Sequence, residues 1–146
     1  MNASRDYILM VEDNDDDVVL TLRSFEKNNF PYQVVVARDG AEALTHLLGI
    51  DGQGQRLHKN PMMVLLDLNL PKVLGLEVLK ALRTDPLLKG VPVVILSSSY
   101  EKKDRADAEQ WGANLYIRKP INFRDLDEVA RQIQDFLAAQ IPSPRT

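Results

Sequence analysis

Residues 62–67 read MMVLLD, an unbroken apolar run that ends directly in an acid. The run is too short for a core helix, and the turn residues Asn60-Pro61 precede it, so it is typical of a β-strand. Its apolar residues are continuous rather than alternating, as expected of a strand that is covered on both faces. This stretch therefore predicts a central strand of a parallel sheet.

Four further short apolar runs lie on either side of this one, namely Tyr7 to Val11, Tyr32 to Ala37, Val93 to Leu96 and Leu115 to Ile117. Between the runs, apolar residues recur three or four positions apart, which predicts amphipathic helices. The last helix is expected to start at Asn122 as N-cap and to carry an apolar stripe of Leu126, Val129, Ile133, Phe136 and Leu137.

Five alternating strand and helix units predict a flavodoxin-like, doubly wound α/β fold, with a five-stranded parallel sheet in the order 2-1-3-4-5 and five helices. We expect residues 1–146 to form a single domain, with a core over about residues 6–137 and a frayed tail at 141–146. The connection from Gly49 to Pro61 is long for such a fold and contains three glycines, so we expect a mobile excursion there.

The composition excludes several classes of protein. The chain has 146 residues with 18 Lys plus Arg, 21 Asp plus Glu, no Cys, and only two histidines, His46 and His58. Without Cys there is no disulfide framework, thiolate zinc site or iron–sulfur cluster, and a net charge of −3 offers no field for nucleic acid. The N-terminal apolar run is too short for a signal peptide or a membrane span, so we expect a cytoplasmic protein.

Polar residues that directly follow the predicted strands are the candidates for chemistry. Because parallel strands present their carboxyl ends at one rim of the sheet, these residues are expected to converge there. They comprise three carboxylates, one hydroxyl and one ammonium: Glu12, Asp13, Asp67, Ser97 and Lys119.

This set of residues limits what the rim can do. Carboxylates gathered in a cleft repel each other unless they are protonated, paired with the lysine or bound to a cation. A set of oxygen ligands without His or Cys favours Mg²⁺. An aspartate can also attack a phosphoryl group, and Asp67 is the best candidate because it ends a central strand between the other groups.

The same residues carry a likeness to a known family. Glu12-Asp13, Asp67 within VLLDLNLP, Ser97 within PVVILSSS and Lys119-Pro120 within GANLYIRKP resemble the receiver domain of two-component response regulators, over Asp6 to Leu137. The resemblance implies that Asp67 is the phosphoacceptor in a phosphorelay from a sensor histidine kinase. It also implies the family fold, with signalling by altered protein contacts rather than by catalysis on a separate substrate.

The resemblance also assigns roles to individual residues. Glu12, Asp13 and Asp67 would hold Mg²⁺ together with the backbone carbonyl of Asn69, with Glu12 acting partly through water. Lys119 and Ser97 would contact the phosphoryl group, and Tyr116 would be the aromatic that moves with Ser97. The Lys119–Pro120 peptide bond is expected to be cis, and a homodimer is expected through the α4, β5 and α5 face, with Tyr100, Tyr116, Phe123, Leu137 and Ile141 supplying apolar surface.

A narrower likeness is to the small stand-alone receivers of bacterial, especially cyanobacterial, phytochrome-type histidine kinases. It rests on residues 65–86 (LLDLNLPKVLGLEVLKALRTDP), on the long connection before them, on PVVILSSS and on GAN before YIRKP. The sequence departs from many receivers at Leu74, where an acid is common, and at Glu12 and Ser97, which replace Asp and Thr but keep a carboxylate and a hydroxyl. The downstream partner is not indicated.

Less specific interpretations exist for single residues. Asp15, Asp16 and Asp17 are interpreted as a solvated first helical turn that complements the helix dipole. His46 and His58 have no assigned role, and Trp111 is interpreted as a packing residue at a helix end.

Two other functions remain as alternatives. A phosphatase of the aspartate-nucleophile class would need a second carboxylate two residues after Asp67, where Asn69 stands. A receiver-like interaction module that works without phosphorylation would be expected to lack Asp67, Lys119 or the acid pair, all of which are present. Nucleotide binding is disfavoured because neither of the two common glycine-rich phosphate-binding motifs occurs.

Overall fold

The computed structural model describes residues 6–70, 73–98, 101–122 and 125–140. Strands and helices alternate along the chain in this order: β1 (Tyr7–Val11), α1 (Asp15–Lys27), β2 (Gln33–Ala37), α2 (Gly40–Leu48), β3 (Met63–Leu66), α3 (Gly75–Thr84), β4 (Val93–Ser97), α4 (Lys102–Gln110), β5 (Leu115–Arg118) and α5 (Leu126–Gln140).

The five strands form one parallel sheet in the order β2-β1-β3-β4-β5. This confirms the predicted flavodoxin-like α/β fold and its strand order. The apolar runs match the strands to within one or two residues, whereas α5 begins at Leu126, later than a start after Asn122 would give. The predicted tail at 141–146 lies outside the described residues.

Each face of the sheet has its own hydrophobic core, because successive side chains of a strand point to opposite faces. Leu9 and Leu66 belong to the core under α2, α3 and α4, while Ile8 and Leu65 belong to the core under α1 and α5. All of β1, β3 and β4 is buried, which explains why these strands are apolar without alternation. The predicted stripe on α5 is confirmed at Val129, Ile133 and Leu137, which are buried, and at Phe136, which packs against the same core.

The helix that follows β1 has an N-cap adjoining the strand-end acids. Asn14 is the N-cap of α1, and its side-chain oxygen accepts a hydrogen bond from the Asp17 amide at 2.9 Å. The acids of the first turn meet the positive end of the helix dipole. The start of α1 is therefore fixed within a few residues of Glu12 and Asp13.

The connection between α2 and β3 contains a short hairpin, and its predicted mobility stays a prediction. Ile50 and Arg56 make an antiparallel bridge, and Asp51 accepts hydrogen bonds from the amides of Gln53 and Gln55. The Arg56 guanidinium donates to both carboxylate oxygens of Asp85, at 3.0 and 2.8 Å, so the hairpin is tied to the residue that follows α3.

Within the described ranges, no helix combines the length and apolar character that a membrane span requires.

Candidate functional site

The backbone ladder of the sheet brings the predicted site residues to one rim. The Glu12 amide donates to Ala37 O at the end of β2, and the Asp67 amide donates to Val11 O at the end of β1. The Lys119 amide donates to Ser97 O in the same way. Because these bonds continue the sheet one residue beyond β1, β3 and β5, the three following residues lie at the same rim.

Three carboxylates at this rim lie close enough to share a cation. Glu12, Asp13 and Asp67, here called the acidic rim, each offer an oxygen within 4.8 Å of the others. Glu12 and Asp67 are buried, with 5% and 6% of their surface exposed, whereas Asp13 is exposed. The donor set consists of oxygen atoms, which fits Mg²⁺ and leaves the exposed side open to water and to a phosphate oxygen.

Lys119 supplies the positive charge at this site. Its ammonium contacts Glu12 Oε1 at 2.6 Å, Asp17 Oδ2 at 2.9 Å and Asp67 Oδ2 at 3.1 Å. An ammonium has three N–H donors, so three carboxylates match its full capacity. Lys119 therefore offsets part of the repulsion among the acids that it contacts.

The site shifts the pKa values of its ionisable groups. Burial raises the pKa of Glu12, and the charge of Asp67 raises it further; the hydrogen bond and charge of Lys119 offset only part of this. Burial by itself lowers the pKa of Lys119, but the hydrogen bonds to Glu12 and Asp17 and the charge of Asp67 outweigh it, so the pKa is raised. Lys119 is thus held in its charged form.

The loop after β3 binds the carboxylate oxygen of Asp67 that does not contact Lys119. The Asn69 amide donates to Asp67 Oδ1 at 3.0 Å, while Oδ2 contacts Lys119. Gly75, the first residue of α3, passes so close that a Cβ atom there would lie 2.2 Å from the Asp67 carbonyl oxygen. Only glycine fits this close approach. Gly75 therefore has a steric role, although Leu74 and not an acid precedes it.

The first turn of α1 is more than the solvated turn expected from the sequence. Side chains of consecutive helical residues point about 100° apart, so three adjacent acids cannot all face solvent in the same way. Asp15 pairs with Arg38, Asp16 is exposed, and Asp17 contacts Lys119. The interpretation of Asp17 as a residue that only faces solvent is therefore incomplete, because Asp17 also pairs with Lys119. Helical geometry was the signal that could have singled it out.

The two candidate switch residues lie on the neighbouring strands. Ser97 ends β4 and is fully buried. Tyr116 on β5 is partly buried, with the Arg105 guanidinium 5.4 Å from its ring centroid. Among the described residues, the Tyr116 hydroxyl is buried without a hydrogen-bond partner. The movement of Tyr116 with Ser97 stays a prediction.

Two expectations drawn from the family likeness are wrong in this structure. The Lys119–Pro120 peptide bond is trans, the isomer that an X–Pro bond favours intrinsically by about 0.5–1 kcal/mol. Leu137 is only 1% exposed because it faces the α1 and α5 core, so it supplies no surface for a dimer. Of the other residues named for that face, Tyr100, Phe123 and Ile141 lie outside the described residues.

His46 and His58, which the sequence left without a role, stack on each other with ring centroids 4.0 Å apart. The Tyr7 hydroxyl donates its single proton to Lys59 O at 2.5 Å and therefore accepts from His46 Nε2–H at 2.9 Å. These residues lie near the start of β1, at the rim opposite to the acids. Trp111 caps the end of α4 and packs against the core, as predicted.

The sequence matches a known family along most of its length. The model of the response regulator receiver domain matches residues 8–131. The chain belongs to the response regulator receiver family. The acidic rim, Asp67 and Lys119 of this receiver all lie within the matched range.

Individual relatives cover nearly the whole receiver. The probable methanogenesis regulatory protein FilR2 of Methanothrix harundinacea is 39% identical over 137 residues, which are 94% of this chain and 86% of FilR2. The response regulator Rcp1 of Synechocystis is 33% identical over 140 residues, which are 94% of this chain and 92% of Rcp1.

Solved structures agree with the fold. The phosphorylated cyanobacterial phytochrome response regulator RcpA superposes with a TM-score of 0.83 at 34% identity, covering 97% of this chain and 100% of RcpA. The Mn²⁺-bound form of Rcp1 gives a TM-score of 0.80 at 31% identity, covering 96% of this chain and 99% of that one. This receiver is thus similar in sequence and structure to response regulators of phytochromes.

Proposed function

We propose that this receiver is a response regulator of a two-component phosphorelay that accepts a phosphoryl group on Asp67 from a sensor histidine kinase. The observation that carries the proposal is the position of Asp67: its buried carboxylate lies 3.1 Å from the Lys119 ammonium and beside the two other carboxylates of the acidic rim. A nucleophile, a cation and a set of metal ligands thus meet at one point.

The transfer itself is a substitution at phosphorus. An oxygen of the Asp67 carboxylate attacks the phosphorus of a phosphohistidine, the bond from phosphorus to the imidazole nitrogen breaks, and the imidazole takes up a proton. Charge on the equatorial phosphoryl oxygens must be stabilised, which is mainly a matter of positioning and electrostatics. Lys119 would donate to one of these oxygens.

The acidic rim fits a divalent cation. Glu12, Asp13 and Asp67, with the backbone carbonyl of Asn69, would hold Mg²⁺, Glu12 acting partly through water. Bound Mg²⁺ would neutralise the excess negative charge and orient the phosphoryl oxygens. The Mn²⁺-bound form of the similar protein Rcp1 supports a divalent ion in this fold.

Phosphorylation would be converted into a change of contacts through Ser97 and Tyr116. The phosphoryl group adds negative charge beside the buried Ser97 hydroxyl, which would move to donate to it. Tyr116 would follow into the space that Ser97 leaves. Its hydroxyl has no partner among the described residues, so none of them holds the present position of the ring through a hydrogen bond to that hydroxyl.

The kinase that we propose as donor is of the phytochrome type. The support is similarity over almost the entire chain to the phytochrome response regulator RcpA and to Rcp1. We propose that the exchange occurs in the cytoplasm and that an unidentified protein reads the phosphorylated face. We propose no binding to nucleic acid or to a membrane.

We also propose a homodimer through α4, β5 and α5. Helix α4 carries charges of both signs, including the pairs Lys103–Asp107 and Arg105–Glu109, and Ile121 beyond β5 is 90% exposed. A surface of mixed charge with an exposed apolar residue can match a second copy of itself. Sedimentation velocity tests this proposal: an Ile121→Asp variant that dimerises as well as wild type contradicts it.

A phosphoacceptor is favoured over a phosphatase of the aspartate-nucleophile class. Such a phosphatase would need a carboxylate two residues after Asp67 to protonate the leaving group. Asn69 occupies that position, and its carboxamide side chain has no carboxyl proton to give to a leaving group. The complete acidic rim likewise disfavours an interaction module that works without phosphorylation.

Phosphoryl uptake tests the proposed function directly. Purified protein is incubated with Mg²⁺ and acetyl phosphate, or with an autophosphorylated phytochrome-type kinase, and intact mass is recorded. Wild type is expected to gain one phosphoryl group and Asp67→Asn none, while Asp16→Asn, an exposed acid of α1, behaves as wild type. An unlabelled wild type, or labelling of Asp67→Asn to the same level, overturns the assignment. Failure with the kinase alone overturns only the identity of the donor.

A further inference from the structure

Asp17 differs from the other partners of Lys119 in its position. Glu12 and Asp67 follow strands and belong to the acidic rim, whereas Asp17 is the third residue of α1. Its carboxylate is 38% exposed, compared with 7% for each of the other two. Lys119 therefore has two buried partners on the metal side and one half-exposed partner on the helix side.

Metal binding changes what these partners can offer. A divalent cation at the acidic rim needs oxygens of Glu12 and Asp67, the groups that now receive two of the three Lys119 N–H donors. An ammonium that lost both contacts would be left with only 16% of its side chain exposed and would depend on the counter-ion that remains. Asp17 is the remaining carboxylate partner among the described contacts of Lys119.

The surroundings give Lys119 room to move in that direction. A cavity of about 40 Å³ adjoins the contact between Lys119 and Asp17, which is more than the space one water molecule requires. Its walls are formed by α1, β4, Lys119-Pro120 and the start of α5, through Asp17, Leu20, Thr21, Leu96, Lys119, Pro120 and Leu126. A small shift of the ammonium within its contact to Asp17 would have space on this side.

We propose that Asp17 is a positioning residue of the phosphorylation site, which holds the Lys119 ammonium on the α1 side while a metal ion takes over Glu12 and Asp67. This inference rests on the proposed metal site. Asp17 lies on a helix, outside the set of rim residues that the family shares, and it acts through Lys119. Asp17 keeps the lysine charged and close, so that an N–H donor is available when a phosphoryl group arrives.

The test uses a matched pair of variants. Asp17→Asn removes the ion pair but keeps the N-cap bond, because that bond uses the Asp17 backbone amide. Asp16→Asn removes the same charge from the same turn of α1 without a contact to Lys119. Mg²⁺ affinity of the full chain is measured by titration calorimetry. Asp17→Asn is expected to weaken Mg²⁺ binding about three- to tenfold, Asp17→Glu to restore most of the affinity, and Asp16→Asn to change it less than twofold.

A double-mutant cycle shows whether Asp17 acts through Lys119. In a Lys119→Met background, Asp17→Asn is expected to have no more effect than Asp16→Asn. An equal loss of affinity in both backgrounds would mean that Asp17 acts only through its distant charge and overturns the inference. A wild type that binds no Mg²⁺ overturns the metal site and the inference together. Equal affinities of wild type and Asp17→Asn overturn the inference alone, since phosphoryl uptake is measured separately.

Discussion

Lys119 Nζ lies 2.6 Å from Glu12 Oε1, so a single ion pair joins the end of β5 to the end of β1 across the two strands between them. The pair closes the site over Asp67, which ends one of those intervening strands. It also directs the lysine to two of the carboxylates that would hold a metal ion.

Removal of the lysine is expected to strengthen metal binding. Lys119→Met deletes a positive charge and a competitor for Glu12 and Asp67, so Mg²⁺ affinity should rise about three- to tenfold at physiological ionic strength. Lys119→Arg keeps the charge and should stay within about twofold of wild type. Titration calorimetry measures both, and weaker Mg²⁺ binding by Lys119→Met would show that the two cations do not compete.

Gly75→Ala is expected to damage the Asp67 loop. The added Cβ would lie 2.2 Å from Asp67 O and 2.6 Å from Leu68 Cα, both backbone atoms that have little freedom to move. The free energy of unfolding should fall by about 1–3 kcal/mol, with slower phosphoryl uptake. Gly90→Ala is the matched control because no atom lies within 4 Å of its added Cβ. Equal urea midpoints for the two variants would contradict the steric argument.

The pair Arg56–Asp85 should make stability depend on acid pH. Burial raises the pKa of Asp85, but the Leu87 amide and Arg56 outweigh it, so the folded-state pKa lies below the ordinary 3.8. The stabilisation is therefore complete above about pH 4 and is lost as the pH falls through the lower folded-state value. At neutral pH, Asp85→Asn should lower the free energy of unfolding by about 1–3 kcal/mol.

An exposed ion pair provides the control for this prediction. Asp6→Asn breaks a contact of 3.4 Å with Lys59 and should cost less than about 1 kcal/mol. Urea unfolding at neutral and acid pH compares the variants. A cost of Asp85→Asn that persists undiminished at pH values well below 3.8 would speak against the linkage.

His46 should add a second pH dependence, at milder acidity. Burial lowers the pKa of His46, and the charge of His58 lowers it further, so the folded state favours the neutral ring. Below the ordinary 6.5, the unfolded chain takes up the proton first, and stability falls until the folded-state pKa is reached. His46→Gln should flatten this decline between about pH 7.5 and 5.5. Thermal unfolding across that range measures it, and parallel curves for variant and wild type would disprove it.

Much of the fold was predictable because the informative patterns are local. Continuous apolar runs mark strands with helices on both faces, and β1, β3 and β4 are indeed buried throughout. The rim positions follow from the same pattern, since a residue that directly follows a parallel strand must lie at its carboxyl end. Glu12, Asp67 and Lys119 therefore meet as expected.

Other features depend on directions and distances that no local pattern records. The role of Asp17 is set by its angle around α1 relative to a lysine 102 residues away in sequence. The hairpin is ordered by Arg56 and Asp85, 29 residues apart, which the glycines between Gly49 and Pro61 do not reveal. The peptide isomer at Lys119–Pro120 was inferred from likeness alone, and a sequence pattern does not encode it.

The hairpin before β3 is a suitable place to attach a fluorescent label for binding experiments. Its tip at Gly52 and Gln53 is exposed and lies toward the amino ends of the strands, away from Asp67. Because the natural chain has no cysteine, a Gln53→Cys substitution would introduce its only thiol. A fluorophore attached there could follow binding of the kinase or of a second copy in real time, with the phosphorylation chemistry untouched at the far edge of the sheet.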